Sequence, residues 1–363
     1  MPEEVRIGIG EIKITEVELL DRLLLLGGPG LGKTEIIKQK AQEEAKRLKR
    51  EFVDLREVDD FTKIEENPSR YYIFLRVVAP HVFTEDLGIP RFREGYVEFL
   101  PPRVLRILTL KDIVGVLFID EITNVQRDDQ FSMYYSLVLE KEFSWNLKLS
   151  KGIKVVLAGN TAEWSELSRS LPKPLRNRLI IVHASPPTVD EWIDYMFKKY
   201  GDGWEKLVAA YLKIYPEDLL KPPPEGDDFS AFPTPRSWTL LATLLTSTKR
   251  SMREAIIIGT IGKEVGTRLI SIMHDLDKVE SIIEKIKQDP RKTFESLKPS
   301  EKILISYYLA QHYNKYIDII AALPHEWIIV IITLIPISQR LNLLKKLPQN
   351  VVKEISRFVI TLQ

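Results

Sequence analysis

Eight consecutive residues, Gly27-Gly28-Pro29-Gly30-Leu31-Gly32-Lys33-Thr34, constrain this chain more than any other stretch. They follow the apolar run Leu23 to Leu26 and lead into a helix-like segment, Glu35 to Lys49. Strand, G-x-x-x-x-G-K-[ST], helix is the context of a phosphate-binding loop. A tight turn of glycines points successive backbone N–H groups at phosphate oxygens with no Cβ atoms in the way. The helix N-terminus adds the positive end of its dipole. Lys33 would reach the β- and γ-phosphates, and the Thr34 hydroxyl would ligate Mg²⁺. The bland alternative is a Gly/Pro turn between a strand and a helix. Residue types, spacing and both flanks favour the phosphate loop, with Gly28, Pro29, Gly30, Leu31, Gly32, Lys33 and Thr34 around the nucleotide.

A chain of 363 residues has room for two or three domains, each with a real core. Lys+Arg is 52 against Asp+Glu 51, so no global charge points to nucleic acid or an anionic membrane. There is no cysteine, which rules out disulfides, thiolate metal sites and cysteine nucleophiles. Its absence is consistent with a cytoplasmic protein and with a hot environment. The N-terminus MPEEVRIGIG shows no signal-peptide pattern. The longest apolar run, Trp327 to Ile337, is interrupted by Thr333 and Pro336 and reads as a buried helix rather than a membrane span.

Along the chain, Thr15 followed by Glu18 suggests a capping box for one helical turn. Leu23 to Gly27 reads as a strand covered on both faces. Residues 34–49 are helical, with Ile36, Ile37, Ala41, Ala45 and Leu48 in phase. Residues 50–70 are charged and irregular, and Asp59-Asp60 within them reads as a pair of solvated loop acids. Tyr71 to Ala79 reads as the second strand, Phe92 to Phe99 around Gly95 as a hairpin, and Arg103 to Leu110 as a helix. Val114 to Glu121 is an apolar strand ending in two acids. Residues 128–141 read as a helix. Glu142 to Gly152 suggests a second hairpin, with Phe143, Trp145, Leu147 and Leu149 alternating. Ile153 to Ala158 is a further buried strand, ending in Gly159-Asn160-Thr161, and Ile180 to His183 is the last. Ser185-Pro186-Pro187 is a linker. Beyond it the apolar positions of 189–200, 204–214, 236–248 and 253–274 have helical period. Gly262 to Gly266 suggests close helix packing. Residues 276–363 read as helical hairpins punctuated at Pro290, Pro299, Pro324, Pro336 and Pro348, with no convincing sequence repeat.

The two acids carry the chemistry. At the carboxyl end of a parallel strand Asp120 would lie beside the phosphate loop, where open α/β sheets bind ligands. One carboxylate can hold Mg²⁺, directly or through water, and the next, Glu121, can polarise an attacking water. Without the loop, the same pair reads as strand-end acids capping the next helix. Asn160 could hold the nucleophilic water together with Glu121, or it is a turn-forming asparagine.

Taken together these motifs resemble the AAA+ ATPases, and within them the MoxR-like branch. GGPGLGKT matches the Walker A motif, LFIDE the Walker B motif and LAGN the sensor-1 strand. EDLGIP…GYVEFLPPRVL is similar to the branch's helix-2 insert, and EKEFSWNLKLSKGIKVVLAGN to its hairpin before sensor 1. PLRNRL is similar to the arginine-finger motif and FPTPRSW to the sensor-2 motif. The likeness covers roughly residues 20–250. The branch commonly reads DEINRA where this chain has Asp120-Glu121-Ile122-Thr123-Asn124-Val125. The segment before Walker A is also short.

The resemblance implies a P-loop NTPase (AAA+) α/β core with a parallel sheet over 1–184, an all-helical lid over 185–275 and a helical C-terminal extension over 276–363. It implies ATP and Mg²⁺ as ligands, with Thr34 and Asp120 at the metal, Glu121 activating water, and Asn160 positioning water and γ-phosphate. Arg178 would be the arginine finger reaching a neighbouring subunit's nucleotide, with Arg176 as its rival, and Arg236 would be sensor 2. The alternatives are a salt bridge within the subunit for Arg178 and a helix-start contact for Arg236. ATP is expected between core and lid of a homo-hexamer. Arg91, Arg93, Trp145 and Lys148 on the hairpins are candidate substrate contacts. The resemblance points to remodelling or assembly of a protein complex, with von Willebrand factor A-type partners. A nucleic-acid motor and a nucleotide-gated scaffold with little turnover are the competing readings.

Overall fold

A computed structural model describes residues 11–143, 147–161, 164, 168–223 and 230–359. They fall into two compact units, Met1–Pro186 and Pro187–Gln363. The first is built on a seven-stranded sheet in which every pairing is parallel. Its strands are β1 (Glu11–Lys13), β2 (Leu23–Leu26), β3 (Glu51–Asp54), β4 (Tyr71–Val78), β7 (Val114–Asp120), β8 (Gly152–Gly159) and β9 (Ile180–Ser185), with β5 (Ile89–Arg93) and β6 (Tyr96–Leu100) forming a separate two-stranded ribbon. The spatial order β1-β9-β2-β8-β7-β4-β3 puts the strand before the glycine-rich loop well inside the sheet, between β9 and β8.

Parallel strands need crossovers, and the unit supplies α1 (Lys33–Arg47), α2 (Thr62–Glu66), α3 (Arg103–Ile107), α4 (Asp128–Glu140) and α5 (Lys173–Arg176). Both faces of the sheet are covered, which is why its central strands read as unbroken apolar runs. Leu24, Leu117 and Ile119 enter one core with Phe131, Tyr134 and Leu137 of α4. Leu23, Leu25, Val116 and Phe118 enter the other with Ile37, Ala41 and Ala45 of α1. Each such fully buried Leu or Ile contributes about 1.5–3 kcal/mol.

Three expectations change. Thr15 lies inside the short 3₁₀ turn Ile14–Glu16, whose cap position is Lys13, and no side chain caps it. The stretch from 50 to 70 holds β3 and α2, so Tyr71–Val78 is not the second strand of the chain. The edge strand β3 escapes the sequence pattern because it is four residues long, pairs with β4 alone and mixes polarity, with Glu51 exposed and Asp54 buried. The second expected hairpin pairs as read: Glu142 and Lys148 form an antiparallel bridge, flanked by the Phe143 N–H bonded to the Leu147 carbonyl at 3.0 Å and the Leu149 N–H bonded to the Lys141 carbonyl at 2.7 Å. Phe143, Leu147 and Leu149 share one buried face in the α4 core while Lys148 between them is exposed, as the alternation implies; Trp145 lies outside the described residues. In the second unit, Gly262 separates two helices with φ at 82°. Gly266 does permit close packing, since a Cβ there would come 3.2 Å from Ile258 Cα.

Two carboxylates tie the first unit together. Glu44 of α1 accepts from Lys154 Nζ at 2.7 and 2.9 Å and from the Tyr72 hydroxyl at 2.7 Å. Asp54 accepts from Lys38 Nζ at 2.8 Å and from the Arg56 backbone N–H at 3.2 Å. Burial alone would raise both pKa values; the donors outweigh it and hold both below the ordinary carboxylate value. A depressed folded-state pKa contributes stability that is complete above the unfolded value and is lost as pH falls through the folded one. The thermal midpoint should therefore hold from neutral pH to about 5 and fall below about pH 4. In the Glu44→Gln, Asp54→Asn double variant that acid limb should be shallower. An identical limb in both proteins, by calorimetry across pH 3–7, would contradict the assignment.

The second unit is all helical. Its helices are α6 (Val189–Tyr200), α7 (Leu207–Ile214), α8 (Pro235–Leu244), α9 (Arg253–Ile261), α10 (Lys263–His274), α11 (Val279–Ile286), α12 (Pro290–Ser296), α13 (Pro299–Gln311), α14 (Ile317–Ala322), α15 (His325–Thr333), α16 (Ile337–Lys346) and α17 (Gln349–Val359). One continuous core runs from Val189 to Ile355 and includes Trp204, Trp238, Phe294 and Ile320. Arg340 on α16 donates to Asp194 Oδ1 of α6 at 3.3 Å and to the Ile335 carbonyl at 3.0 Å. The prolines expected to punctuate this region stand at helix starts. Pro290 and Pro299 open α12 and α13, and the last three helices begin just after Pro324, Pro336 and Pro348. That is the place for a residue that fixes φ and lacks an N–H. None of the helices is long and apolar enough to cross a membrane, among the described residues.

Candidate nucleotide-binding site

Because all seven strands point the same way, their carboxyl ends share one edge of the sheet. There Leu26 stands level with Gly159, Ile119 with Leu157, and Val78 with Asp120. Three segments leave from neighbouring positions at that edge: the loop 27–32 after β2, Glu121 after β7, and Asn160 after β8. The loop turns through Gly30 and Gly32, with φ at 72° and 92°, a region where only glycine is unstrained. Gly32 is the N-cap of α1. At Gly28 the constraint is space, because a Cβ would come within 3.0 Å of the Trp164 indole.

Lys33 is 8% exposed, so its ammonium needs partners. It donates to the Gly27 and Gly28 carbonyls, each at 2.8 Å, and to Asn160 Oδ1 at 2.9 Å. The Thr34 hydroxyl donates to Asp120 Oδ2 at 2.9 Å. Two pairs distant in sequence, Lys33 with Asn160 and Thr34 with Asp120, are thus directly joined. Glu121 is half-buried and turns off β7 in the left-handed region, φ 58°, a strained conformation for a residue with a side chain. Asn124 Nδ2 donates to its Oε2 at 3.3 Å.

Asp120 and Thr34 supply hard oxygen donors 2.9 Å apart. That suits Mg²⁺, which takes one or two protein oxygens and fills its octahedron with waters and substrate phosphates. No group of three or more His, Asp or Glu side chains able to hold a metal occurs among the described residues, so an all-protein cage is not what this site offers.

Arg176 closes the short helix α5 and lines a cavity of about 230 Å³ together with Asn160, Thr123, Ser168 and Arg169. Arg178, half-buried, follows two residues later, its backbone N–H bonded to the Leu175 carbonyl at 3.0 Å. Among the described residues neither guanidinium makes a hydrogen bond or ion pair. Arg236 is exposed on the first turn of α8 in the second unit, behind a capping box formed by Thr234 and Ser237. It too has no side-chain partner among the described residues.

Sequence reading missed three neighbours of these groups. Arg76 of β4 binds Asp120 Oδ2 through Nε at 2.9 Å and Nη2 at 2.8 Å. Its signal was present: it is the lone charge in the strand YYIFLRVV, and a charge in a covered strand needs a partner. Thr123 Oγ1 accepts the Asn160 backbone N–H at 2.9 Å and so fixes the start of that segment. Trp164, against the loop, had no signal at all.

Residues 23–185 match the family model described as "ATPase family associated with various cellular activities (AAA)". No curated protein matches the chain. Among solved structures it is similar to a point mutant of Thermotoga maritima RuvB, at 17% identity, covering 86% of this chain and 80% of that one with a TM-score of 0.34. It is similar also to a putative ATPase from Cytophaga hutchinsonii, at 12% identity, 66% and 76% coverage and a TM-score of 0.30. Brucella abortus NtrX gives 14% identity, 81% and 65% coverage and a TM-score of 0.32. Residues 23–185 are an AAA ATPase domain with the P-loop NTPase fold, followed by a helical region. The protein is accordingly an ATP hydrolase.

Proposed function

We propose that this chain couples ATP binding and hydrolysis, in a ring of its own copies, to remodelling or assembly of a protein complex in the cytoplasm, in the manner of the MoxR-like branch. The observation that carries the ATP chemistry is the convergence of Lys33, Asn160, Thr34 and Asp120 at one sheet edge, with Glu121 beside them. In this reading the loop N–H groups and Lys33 hold the phosphates, replacing the carbonyl and Asn160 contacts that now occupy the ammonium. Asn160 and Glu121 orient the attacking water, and Glu121 takes its proton. Mg²⁺ held by Thr34 and Asp120 would screen the phosphate charge. Arg178 or Arg176, supplied by a second copy, would stabilise charge on the transferring phosphoryl group, and Arg236 would report phosphate state to the helical unit. We assign 185–275 as the lid and 276–363 as its extension.

A protein client is favoured by the β5–β6 ribbon. Partners directly opposite share a face, so Pro90, Phe99, Phe92 and Val97 form one apolar face. Phe92 is 80% and Phe99 57% exposed. On the other face Arg91 is opposite Glu98, and Arg93 pairs with Glu98 at 3.3 Å. With Glu94 at the turn the ribbon's formal charges cancel. Lys148 is likewise paired, to Glu142 at 2.8 Å. An apolar, neutral ribbon suits a protein surface better than a phosphate backbone, which demands uncompensated cations.

ATP turnover should therefore be unchanged by single- or double-stranded DNA, with no salt-dependent DNA binding. Crosslinking from position 92 in the Glu121→Gln protein with ATP should capture protein. Turnover stimulated by DNA, with affinity falling steeply between about 50 and 200 mM salt, would favour a nucleic-acid motor and contradict the client proposed.

A further inference from the structure

Asp120 Oδ2 accepts from the Thr34 hydroxyl and is gripped by two nitrogens of Arg76, while Oδ1 accepts the Glu121 backbone N–H at 3.0 Å. The residue is 6% exposed. Oδ2 is therefore crowded with donors, and one of them carries a full positive charge. Arg76 itself is only partly covered, its side chain 27% exposed, so it has somewhere to go. It extends from mid-strand, level with Phe118 on β7, two positions short of the residue that faces Asp120. A strand-borne arginine reaching along the sheet can release the carboxylate by side-chain rotation, with no break in the ladder.

We infer that Arg76 is an internal counter-cation that competes with the divalent ion for Asp120. The guanidinium holds the carboxylate and, through it, the Thr34 hydroxyl in place while no metal is present, and it must leave before a metal can use the same oxygen. Two cations cannot share Oδ2 at hydrogen-bond distance without strong mutual repulsion. Arg76 thereby sets the concentration of free divalent ion at which nucleotide binding becomes metal-assisted. It is a positioning residue acting through Asp120. The inference rests on the ATP-binding reading above.

The test reads metal, not turnover. Full-length wild-type, Arg76→Met and Arg76→Lys proteins are titrated with Mn²⁺ in the presence of a non-hydrolysable ATP analogue, following free Mn²⁺ by electron paramagnetic resonance. Analogue binding without metal is measured alongside by fluorescence. A hydrogen-bonded charge pair of this kind corresponds to about a 10–100-fold effect. Arg76→Met should bind Mn²⁺ at about 10–100-fold lower concentration than wild type, and Arg76→Lys, keeping the charge, should lie near wild type. Metal-free analogue binding should change little. A midpoint in Arg76→Met equal to or above wild type would overturn the inference, because Arg76 would then be neutral toward the metal or help to hold it. Should Arg76→Met misfold by circular dichroism, Arg76→Gln takes its place under the same criterion. Absence of any analogue binding by the wild-type protein would overturn the ATP-binding reading, and this inference with it. Analogue binding with unshifted metal midpoints overturns the inference alone.

Discussion

Replacing Arg178 by alanine should lower ATP turnover by about 10³–10⁵-fold in the assembled protein, the range for an arginine finger in nucleotide hydrolases. Nucleotide affinity should change far less. Arg178 follows the helix α5 and precedes β9, so the main-chain bond to Leu175 and the strand together fix where its side chain starts. Its guanidinium has no partner among the described residues, although an arginine held by a structural salt bridge would show one. A half-buried cation in that condition fits a role completed by another molecule. Arg176 is the internal control. It lines the cavity that Asn160 shares, so Arg176→Ala should affect nucleotide binding as well as turnover. Equimolar mixing of Arg178→Ala with a Glu121→Gln chain should restore part of the activity that each lacks, because mixed interfaces combine an intact Glu121 with an intact Arg178. If Arg176→Ala shows the pure turnover defect and Arg178→Ala does not, the two roles exchange.

Glu121→Gln should cost about 10²–10⁴-fold in turnover while leaving ATP bound, the usual contribution of a positioned general base. Gln keeps the shape of the side chain, the left-handed backbone turn and an oxygen for Asn124 Nδ2. Only the basicity is lost. Retained binding of an ATP analogue with vanishing phosphate release, measured on the same preparation, is the expected pair of results. A variant that turns over ATP within about threefold of wild type, far short of a general base's contribution, would remove Glu121 from the chemistry and leave it as the turn residue after β7.

Much of the α/β unit was legible because local chemistry and global fold agree there. Leu23–Leu26 and Val116–Ile119 read as covered strands, and the loop that leads to Lys33 and the residue Asp120 lie at strand ends that a parallel sheet brings to one edge. The edge strands were not legible. Glu51–Asp54 and Glu11–Lys13 are short, mixed in polarity and paired on one side, so neither alternation nor a continuous apolar run marks them. The site's skeleton could be read from its motifs, but Arg76 could not be assigned to Asp120 without the pairing of β4 with β7. The helical unit revealed its helices through periodicity and proline. Its single core, in which Arg340 reaches Asp194 across most of the unit's length in sequence, could not be inferred from either.

If one chain holds the phosphates while another completes the site, turnover must depend on assembly. Phosphate release per chain, measured against protein concentration with assembly followed by light scattering, reads that dependence. Specific activity should rise with concentration and level off as assembly completes, while Arg178→Ala stays near background throughout. A specific activity independent of concentration, displayed by a monomer and matched by Arg178→Ala, would contradict it.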